Sequence, residues 1–366
     1  MSILRGTPKQ DGYYMPAEFF PQEKVFMIWP KRPDNWRLNA QPAKEAYANV
    51  AKAISRFTSV VMLVDEEEMS LADKMLEGKT AIIPVPSDDA WCRDVGPCFV
   101  LNCEGKIRAC DFKFNAWGGH FDGLYYPWDN DDAIAGKICE IEQIDRYRTD
   151  DFVLECGSIH VDGEGTVLTT EMCLLSEGRN PHLSKAEIEN KLCEYLGCTK
   201  VLWLKDGIDP NETNGHVDDV ACFTAPGEVA CIYTDNKQDP FYDTAINNYN
   251  ALKEMTDAKG RKLKVHKVCT PHEKVLMSGA DTIKKNEGTV PRKDGDLCIA
   301  SYLNFLITNE GVIVPQYGDI NDELALSQIK EIFPDKEVIG VYTREIVYGG
   351  GNIHCITMQQ PKYTYK

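Results

Sequence analysis

The sequence contains no apolar run that approaches the roughly 18 residues needed to span a bilayer. Its first residues, MSILRGTPKQDGYY, lack the cationic and then apolar segments of a secretory signal. A basic excess is also missing, because 57 acidic residues against 40 basic ones give a formal charge of -17. The phosphates of nucleic acids require a basic surface. We therefore expect a cytosolic protein with no membrane and no nucleic-acid partner, whose acidic excess either keeps it soluble or attracts cationic ligands.

The 14 cysteines include no CxxC pair, which argues against structural zinc. The chain is also too large, and lacks the signal, for a secreted disulfide scaffold. Most cysteines lie in apolar, strand-like runs such as EVACIY (228–233) and DLCIASY (296–302). We therefore expect buried, unreactive thiols, with one or two at most that take part in chemistry.

A pattern of helix, strand, polar loop and hairpin recurs along the chain, in five modules of roughly 50 to 80 residues. Apolar spacing predicts helices at 43–57, 66–77, 131–144, 184–197, 240–258 and 321–333. Predicted strands cover 59–65, 80–86, 199–205, 262–268, 336–343 and the region of 348–359. Predicted hairpins cover 97–112, 152–170, 218–234 and 296–316.

A supersecondary unit used five times favours a closed radial array, because one unit alone could not bury both faces of its strands. The sequence has no low-complexity stretch and no long linker, so we expect residues 1–366 to form a single catalytic domain. The polar loops fall at equivalent places, just before each hairpin. In a radial array these places converge on one end of the central axis, where residues far apart in sequence could form one site.

Four of these loops combine glycine with acid, histidine or cysteine. They are WCRDVGP (91–97), LECGSIH (154–160), NETNGHVDD (211–219) and YGGGNIHC (348–355). Glycine allows a positive φ or a close approach to a ligand. Acid, histidine and cysteine together are the components of nucleophilic catalysis.

Cys355 follows three glycines and His354, at the predicted start of the strand IHCIT. It is either another structural strand cysteine or a nucleophile. As a nucleophile it must ionise, because a free thiol with a pKa near 8.5 is mostly protonated at neutral pH.

His216 lies in NGHVD, two residues before Asp218. In an extended segment both side chains point to the same face and could present a general acid/base beside an anion. Glu155, at a strand end, could orient and charge His216. The alternatives are a structural histidine and a carboxylate at the rim of the site.

Asp94 either pairs with the adjacent Arg93 or points to the axis. In the second case Asp94 and Asp218 place two anions in one pocket, which is unfavourable unless a cation lies between them. A guanidinium, planar and rich in donors, suits two carboxylates. A metal is the rival use of histidine and aspartate, but His216 and His354 lack ligand spacing. We therefore expect neither a metal nor another cofactor.

At these residues the sequence resembles the agmatine deiminases of the guanidino-group-modifying superfamily. The resemblance runs nearly end to end. Its motifs are FMIWPKRPDNWR, WCRDVGP, FKFNAWGG, LECGSIHVDGEGT, RNPHLSKAEIE, ETNGHVD, VIVPQYGD and GGGNIHCITMQQP. It implies an α/β fold, a pseudo-symmetric α/β-propeller of five modules with the active site on the central axis.

The resemblance also implies a role for each matching residue. In these motifs the cysteine is the nucleophile (Cys355), the histidine the acid/base (His216) and the glutamate of ECGS its partner (Glu155). Two aspartates bind the guanidinium (Asp94, Asp218), and a tryptophan and a glutamate lie near the far end of the substrate (Trp91, Glu212). Cys92, Asn214 and Asp219 depart from the usual family pattern, and they could adjust pKa values.

These features predict hydrolysis of the small cation agmatine to N-carbamoylputrescine and ammonia, through a thiouronium intermediate on Cys355. Deimination of free or peptidyl arginine is the first alternative, although a free carboxylate would need an unpaired cation in the pocket. A catalytically silent polyamine-binding protein is the second. A cysteine amidase is disfavoured, because carboxylates would repel a developing oxyanion. Exposed edges of such modules also favour a homo-oligomer.

Overall fold

The computed structural model describes residues 1–209 and 211–363. The strands in these residues are β1 (Tyr13–Tyr14), β2 (Gln22–Ile28), β3 (Ser59–Val64), β4 (Ala81–Pro84), β5 (Cys98–Asn102), β6 (Ile107–Lys113), β7 (Arg146–Val153), β8 (Ile159–Val161), β9 (Thr166–Thr170), β10 (Lys200–Leu204), β11 (Ala221–Ala225), β12 (Glu228–Tyr233), β13 (Lys264–Cys269), β14 (Leu306–Ile307), β15 (Gly311–Gln316), β16 (Glu337–Tyr342) and β17 (Thr357–Pro361).

The helices are α1 (Gln41–Ile54), α2 (Met69–Leu76), α3 (Cys92–Val95), α4 (Gly119–Asp122), α5 (Asp129–Asp132), α6 (Ile134–Ile141), α7 (Glu171–Leu174), α8 (Lys185–Leu196), α9 (Tyr242–Glu254), α10 (Asp322–Ile332) and α11 (Arg344–Val347). The fold is therefore mixed α/β. None of these helices is long and apolar enough to cross a membrane.

The described strands form five sheets that share one plan. Their orders are β1-β5-β6-β7, β10-β9-β8, β11-β12-β13, β14-β15-β16 and β17-β2-β3-β4. In every sheet an antiparallel pair is extended by a parallel strand, as where β12 pairs antiparallel with β11 and parallel with β13. A helix such as α9 makes the crossover, as a parallel connection requires. The predicted strands at 199–205, 262–268 and 336–343 thus join the sheet of the preceding hairpin.

One sheet joins segments that are far apart in sequence. Strand β17 pairs antiparallel with β2, with Thr357 opposite Met27, and β2 pairs parallel with β3. This pairing fixes the segment just before β17, which carries Cys355, against the first module of the chain.

Local signals account for the helices that were predicted well. Ser184 caps α8 with a capping box to Glu187, and Gly197 ends the helix with a φ of 65°. Helix α1 buries Tyr47, Val50 and other apolar residues on one face, as its spacing predicts. It ends at Ile54, however, and does not continue to 57.

Other predicted elements were wrong at their ends. Residues 298–303 form no strand, and the antiparallel partner of β15 is only the short β14. The Ser301 hydroxyl donates to the carbonyl of Asp219 in a neighbouring sheet, and such tertiary bonds replace the expected ladder. Helix α9 ends at Glu254 because a turn follows, in which the Asp257 carboxylate accepts the N–H groups of residues 259 and 261.

Most cysteines follow the prediction, and the exceptions are one disulfide and three thiols that are not fully buried. Cys98 and Cys156 are disulfide-bonded, although 58 residues separate them. The two lie at the bases of neighbouring polar loops, and the fold brings their Cα atoms to 6.5 Å. Among the remaining cysteines, all except Cys103, Cys193 and Cys269 are buried.

Candidate active site

The polar loops that precede the hairpins converge around one cavity of about 480 Å³, a volume typical of small-molecule sites. Of the seven predicted site residues, four line the cavity: Trp91, Asp94, Glu212 and Cys355. The other three, Glu155, His216 and Asp218, are buried beside them. The lining carries five acids and two arginines, namely Asp89, Asp94, Asp209, Glu212, Asp296, Arg32 and Arg292. The cavity is thus suited to a cationic ligand.

Gly157 marks the point where three of the site residues meet. A Cβ atom at Gly157 would lie 2.6 Å from Asp94 Oδ1, 2.7 Å from His216 Nδ1 and 3.2 Å from Asp218 Oδ2. No side chain could occupy this position, so glycine is required there for packing. Residues 217–219 form a short 3-10 turn and not the expected extended segment, yet His216 and Asp218 still face the same point.

Asp94 does not pair with the adjacent Arg93, whose Nε donates to the carbonyl of His354. The Asp94 carboxylate instead accepts hydrogen bonds from Trp117 Nε1 at 2.9 Å and from the N–H of Gly157 at 3.2 Å. Burial is the largest cause that raises its pKa, to about 6, with the nearby Asp218 acting in the same direction. Asp94 is therefore a rigidly held carboxylate whose charge is costly without a cation.

The Cys355 sulfur lies at the cavity wall, 3.2 Å from Asn304 Nδ2 and 3.7 Å from Asp218 Oδ2. Burial raises the pKa of this thiol well above its usual value, and Asp218, Asp219 and Asp94 raise it further. Without a bound cation the thiol is thus the favoured form. Cys355 was expected at the start of a strand, but it lies in the turn that precedes β17.

His216 is fully buried between two carboxylates. Its Nδ1 is 3.8 Å from Asp94 Oδ1, and its Nε2 is 3.7 Å from Glu155 Oε2. Neither nitrogen has a hydrogen-bond partner among the described residues. Burial acts to lower the pKa of His216, but Asp94 and then Cys173 and Glu155 outweigh it, so the pKa is raised well above its usual value. The ring is therefore a cation with unused donors.

Glu155 is held by Arg179, which the sequence did not point to. Arg179 Nε lies 2.8 Å from Glu155 Oε1, and both side chains are fully buried. Burial acts to raise the pKa of Glu155, but Arg179 and His216 outweigh it and lower the pKa to about 2. Glu155 is thus charged at neutral pH and can keep His216 protonated.

His354 orients the Asp218 side chain. His354 Nδ1 lies 2.7 Å from Asp218 Oδ2, and its Nε2 lies 2.8 Å from Glu18 Oε2. Burial and Arg93 act to lower the pKa of His354, but Glu18 and Asp218 outweigh them and raise it. The second oxygen, Asp218 Oδ1, is buried and has no partner among the described residues. Asp218 therefore retains an unused acceptor.

Trp91 and Glu212 form another part of the cavity wall. The Trp91 ring stacks on Trp36 at 5.3 Å, and its Nε1 donates to Asp89 Oδ2 at 3.0 Å. Glu212 forms a bidentate ion pair with Arg292, whose Nη2 lies 3.0 Å from Glu212 Oε2. Glu212 is thus a paired acid, and the cavity contains an arginine that the sequence analysis did not place there.

The three glycines before Cys355 are each required by a close contact. A Cβ at Gly349 would overlap the Trp36 ring, and one at Gly350 would overlap the Glu212 carboxylate. A Cβ at Gly351 would lie 2.6 Å from Trp91 Cζ3 and 3.1 Å from the Cys355 sulfur. Gly350 also has a φ of 114°, which side chains rarely adopt. The motif therefore lets the wall of the cavity pack directly against the loop that carries Cys355.

Two clusters have the composition of metal ligands, which the sequence analysis did not expect. One contains Glu18, His160 and His354, and the other contains Glu155, Cys173 and His216. In the first, His354 already bonds two carboxylates and His160 Nδ1 accepts the N–H of Phe223. In the second, Arg179 already occupies Glu155. Existing bonds thus take up donor atoms in both clusters.

Sequence analysis missed several residues of the site: Glu18, Asp89, Arg179, Arg292, Asn304 and Trp117. Most are partners of predicted residues from distant segments. Arg179 and Trp117 lie in the motifs RNPHLSKAEIE and FKFNAWGG, but no local pattern gives them a role. Asn304 is the exception, because it precedes β14 as Cys355 precedes β17. The repeat itself therefore indicates a fifth polar loop at this position.

Comparisons with known proteins agree on one family. The family model described as Porphyromonas-type peptidyl-arginine deiminase matches residues 14–361. A protein from Pseudomonas aeruginosa (strain LESB58), named agmatine deiminase, is 49% identical over 363 residues, which cover 99% of each chain. The solved agmatine deiminase of Enterococcus faecalis superposes with a TM-score of 0.98 at 63% identity, covering 99% of this chain and 100% of its own. A cysteine-to-serine variant of C. jejuni agmatine deiminase with substrate bound gives a TM-score of 0.82 at 26% identity, covering 96% and 97%.

Proposed function

The chain belongs to the Porphyromonas-type peptidyl-arginine deiminase family, among its agmatine deiminases, and we propose that it hydrolyses agmatine to N-carbamoylputrescine and ammonia. The observation that carries this proposal is the setting of Cys355. Its sulfur lies 3.7 Å from Asp218 Oδ2, in an acidic cavity next to a buried, charged histidine, and the other oxygen of Asp218 has no partner among the described residues.

Asp94 and Asp218 bind the guanidinium from two sides. Asp218 offers its free Oδ1, and Asp94 is fixed by Trp117 and Gly157. A guanidinium between them relieves the repulsion of two buried carboxylates. The same positive charge favours the thiolate over the thiol at Cys355, since it offsets the carboxylates that raise the pKa of the sulfur.

When the guanidinium binds, the Cys355 thiol loses its proton to solvent. The resulting thiolate attacks the central guanidinium carbon, and an S–C bond forms. His216 donates a proton to one terminal nitrogen, its C–N bond breaks, and ammonia leaves. The thiouronium that remains is attacked by water, whose proton passes to the now neutral His216. The S–C bond breaks, the sulfur leaves as thiolate, the product loses the second proton of that water to solvent, and the ureido product is released. Glu155 keeps His216 charged for the first proton transfer, consistent with its own lowered pKa.

The far end of the substrate lies near Trp91 and Glu212. The ion pair with Arg292 affects how Glu212 selects a substrate. Arg292 already neutralises part of the charge with which Glu212 attracts an ammonium. A substrate carboxylate would in turn compete with Glu212 for Arg292. The pair therefore favours a bare amine tail, and the two residues act as one unit.

The arrangement of the five sheets is a second proposal. Each polar loop of the site precedes the first strand of one antiparallel pair: β5, β8, β11, β14 or β17. This regularity supports a pseudo-symmetric α/β-propeller of five modules in one domain, with the site on its axis. Assembly as a homo-oligomer and a cytosolic location stay predictions.

The function is tested by incubating the protein with agmatine, free arginine or a peptidyl arginine, and measuring ammonia and the ureido product. We expect both products from agmatine, in equal amounts, and far less from the two arginines. Binding of agmatine without ammonia release would identify a polyamine-binding protein. Equal or faster turnover of either arginine substrate would contradict the proposed substrate.

A further inference from the structure

Asn304 is a fully buried residue just before β14. Its side-chain oxygen accepts the backbone N–H of His354 at 3.0 Å and the N–H of Cys355 at 3.2 Å. A backbone N–H can only donate, so the atom that faces both must be the oxygen. This fixes the orientation of the amide, and the opposite atom is the NH2 group.

That NH2 group has two acceptors. Asn304 Nδ2 lies 3.1 Å from Asp219 Oδ1 and 3.2 Å from the Cys355 sulfur. One hydrogen serves each acceptor. The Asp219 carboxyl group therefore holds the amide so that its second hydrogen points at the sulfur. The contact joins two hairpin loops from different sheets and cannot arise from local sequence.

The sulfur needs such a donor because its other neighbours are unfavourable to a negative charge. Asp94, Asp218 and Asp219 all disfavour the thiolate, and burial adds to their effect. The backbone N–H of Asn352 acts in the opposite direction and lowers the pKa of the Cys355 thiol. Hydrogen bonds to a charged acceptor are stronger than those to a neutral one, so a side-chain donor acts mainly on the thiolate.

We propose that Asn304 is a catalytic residue, which donates an Nδ2–H hydrogen bond to Cys355 Sγ and stabilises the thiolate. The inference rests on the proposed function, in which Cys355 is the nucleophile. The bond acts twice in each turnover: when the thiolate forms before attack, and when the sulfur leaves the intermediate. Asn304 also fixes the position of Cys355 through the two backbone bonds to its oxygen.

The test is the pH dependence of Cys355 alkylation by iodoacetamide, without substrate, followed by mass spectrometry of the peptide that contains Cys355. The variants are Asn304→Asp, which keeps the acceptor oxygen, and Asn304→Ser, which is neutral and shorter. Asn248→Ser is the matched control, because Asn248 is a buried asparagine whose amide donates to the carbonyl of Asp206. Thermal melting checks that each variant is folded.

Both Asn304 variants should move the alkylation midpoint upward by about one pH unit or more, since one charged hydrogen bond is lost. Their kcat/KM for agmatine at pH 7 should fall at least about tenfold. Asn248→Ser should keep the wild-type midpoint. Unchanged midpoints in both folded Asn304 variants would overturn the inference. A rise confined to Asn304→Asp would assign the effect to added charge and overturn it as well.

Failure of this inference and failure of the proposed function are distinguishable. The alkylation midpoint does not depend on turnover, so it reports on Asn304 even if agmatine is not a substrate. Wild-type protein that releases no ammonia from agmatine would refute the function alone. Active wild-type protein with an unmoved midpoint in the variants would refute only the role of Asn304.

Discussion

Three carboxylates surround the Cys355 thiol, and this concentration of negative charge governs the chemistry at the scale of single residues. Asp94, Asp218 and Asp219 raise the pKa of the thiol, and Asp94 has a raised pKa itself. Such a site is electrostatically incomplete until a cation enters. Under the proposed function, binding of agmatine and ionisation of Cys355 are therefore coupled.

The first prediction concerns the nucleophile. Cys355→Ser should show no measurable turnover of agmatine, because a hydroxyl is a far weaker nucleophile under these conditions. The variant should still bind agmatine, so saturating agmatine should raise its Tm by a few degrees. Cys231→Ser, at another buried cysteine outside the cavity, should keep its activity. Substantial turnover by Cys355→Ser would show that the nucleophile is misassigned.

The second prediction concerns Asp94, whose raised pKa of about 6 sets a pH limit. Below pH 6 the carboxyl group is protonated and cannot form an ion pair with guanidinium. The kcat/KM for agmatine should therefore bend near pH 6 and lose an additional factor of about ten per pH unit below it. Asp209 has a similar pKa of about 6 and lines the same cavity, so Asp209→Asn is the control. If the decrease in kcat/KM below pH 6 disappears in Asp209→Asn, the assignment of this pKa to Asp94 is wrong.

The third prediction concerns Glu212. Glu212→Gln removes the charge that attracts an ammonium and releases Arg292 to bind a carboxylate. We expect KM for agmatine to rise about tenfold and the preference for agmatine over arginine to narrow by more than that factor. Glu104→Gln, at a surface glutamate paired with Lys106, is the control. Steady-state kinetics with both substrates checks the prediction, and unchanged discrimination would place the selectivity elsewhere.

At the same scale, the sequence indicated residues that carry charge or nucleophilicity beside glycine, such as Cys355 and His216. It could not indicate the residues that hold them. Arg179 reaches Glu155 from 24 positions away, and Glu18 reaches His354 across most of the chain. Such partners have no local pattern, because only the packed sheets define their distance.

At the scale of elements, the loop of Gly349 to Gly351 holds Cys355 against the cavity wall. The fourth prediction is that Gly351→Ala lowers kcat/KM for agmatine at least tenfold, because its methyl group would collide with Trp91 and displace the sulfur. Gly260→Ala is the control, since Gly260 has a φ of 80° but an added Cβ meets nothing within 4 Å. It should cost about 1 kcal/mol of stability and leave activity intact.

Kinetics and thermal melting of both glycine variants separate the two effects. An active Gly351→Ala protein would mean that the loop can move away from Trp91 at little cost. An inactive Gly260→Ala protein would mean that strain in a remote turn affects the site. A loss of activity in Gly351→Ala could then not be assigned to the contact with Trp91.

Element boundaries show where sequence reasoning ends. Helix α8 matched its prediction because both caps are encoded locally by Ser184 and Gly197. The segment 298–303 is as apolar as a strand, yet its Ser301 and Tyr302 bond to groups outside any ladder. The disulfide of Cys98 and Cys156 was missed for the same reason, because its partners meet only after two loops converge.

At the scale of the whole molecule, the negative charge and the two clusters that contain histidine are features that metal-binding proteins also have. The fifth prediction is that prolonged chelation leaves the activity intact, because Glu18, His354 and Glu155 already bond protein groups. Activity is measured before and after dialysis against a chelator, with a known zinc enzyme treated in parallel as the control. A loss that one divalent ion restores would contradict the prediction.

Every sheet contributes one of the loops described around Cys355, and the residues of the site contact each other across the sheets. The separations in sequence are large, as between Asp94 and Gly157 or between Asn304 and Cys355. Such non-local contacts form late when a chain folds, since the loops between them must close first. A partly folded molecule can thus hold complete helices and strands without the means to release ammonia. Recovery of catalytic activity would therefore mark the end of folding.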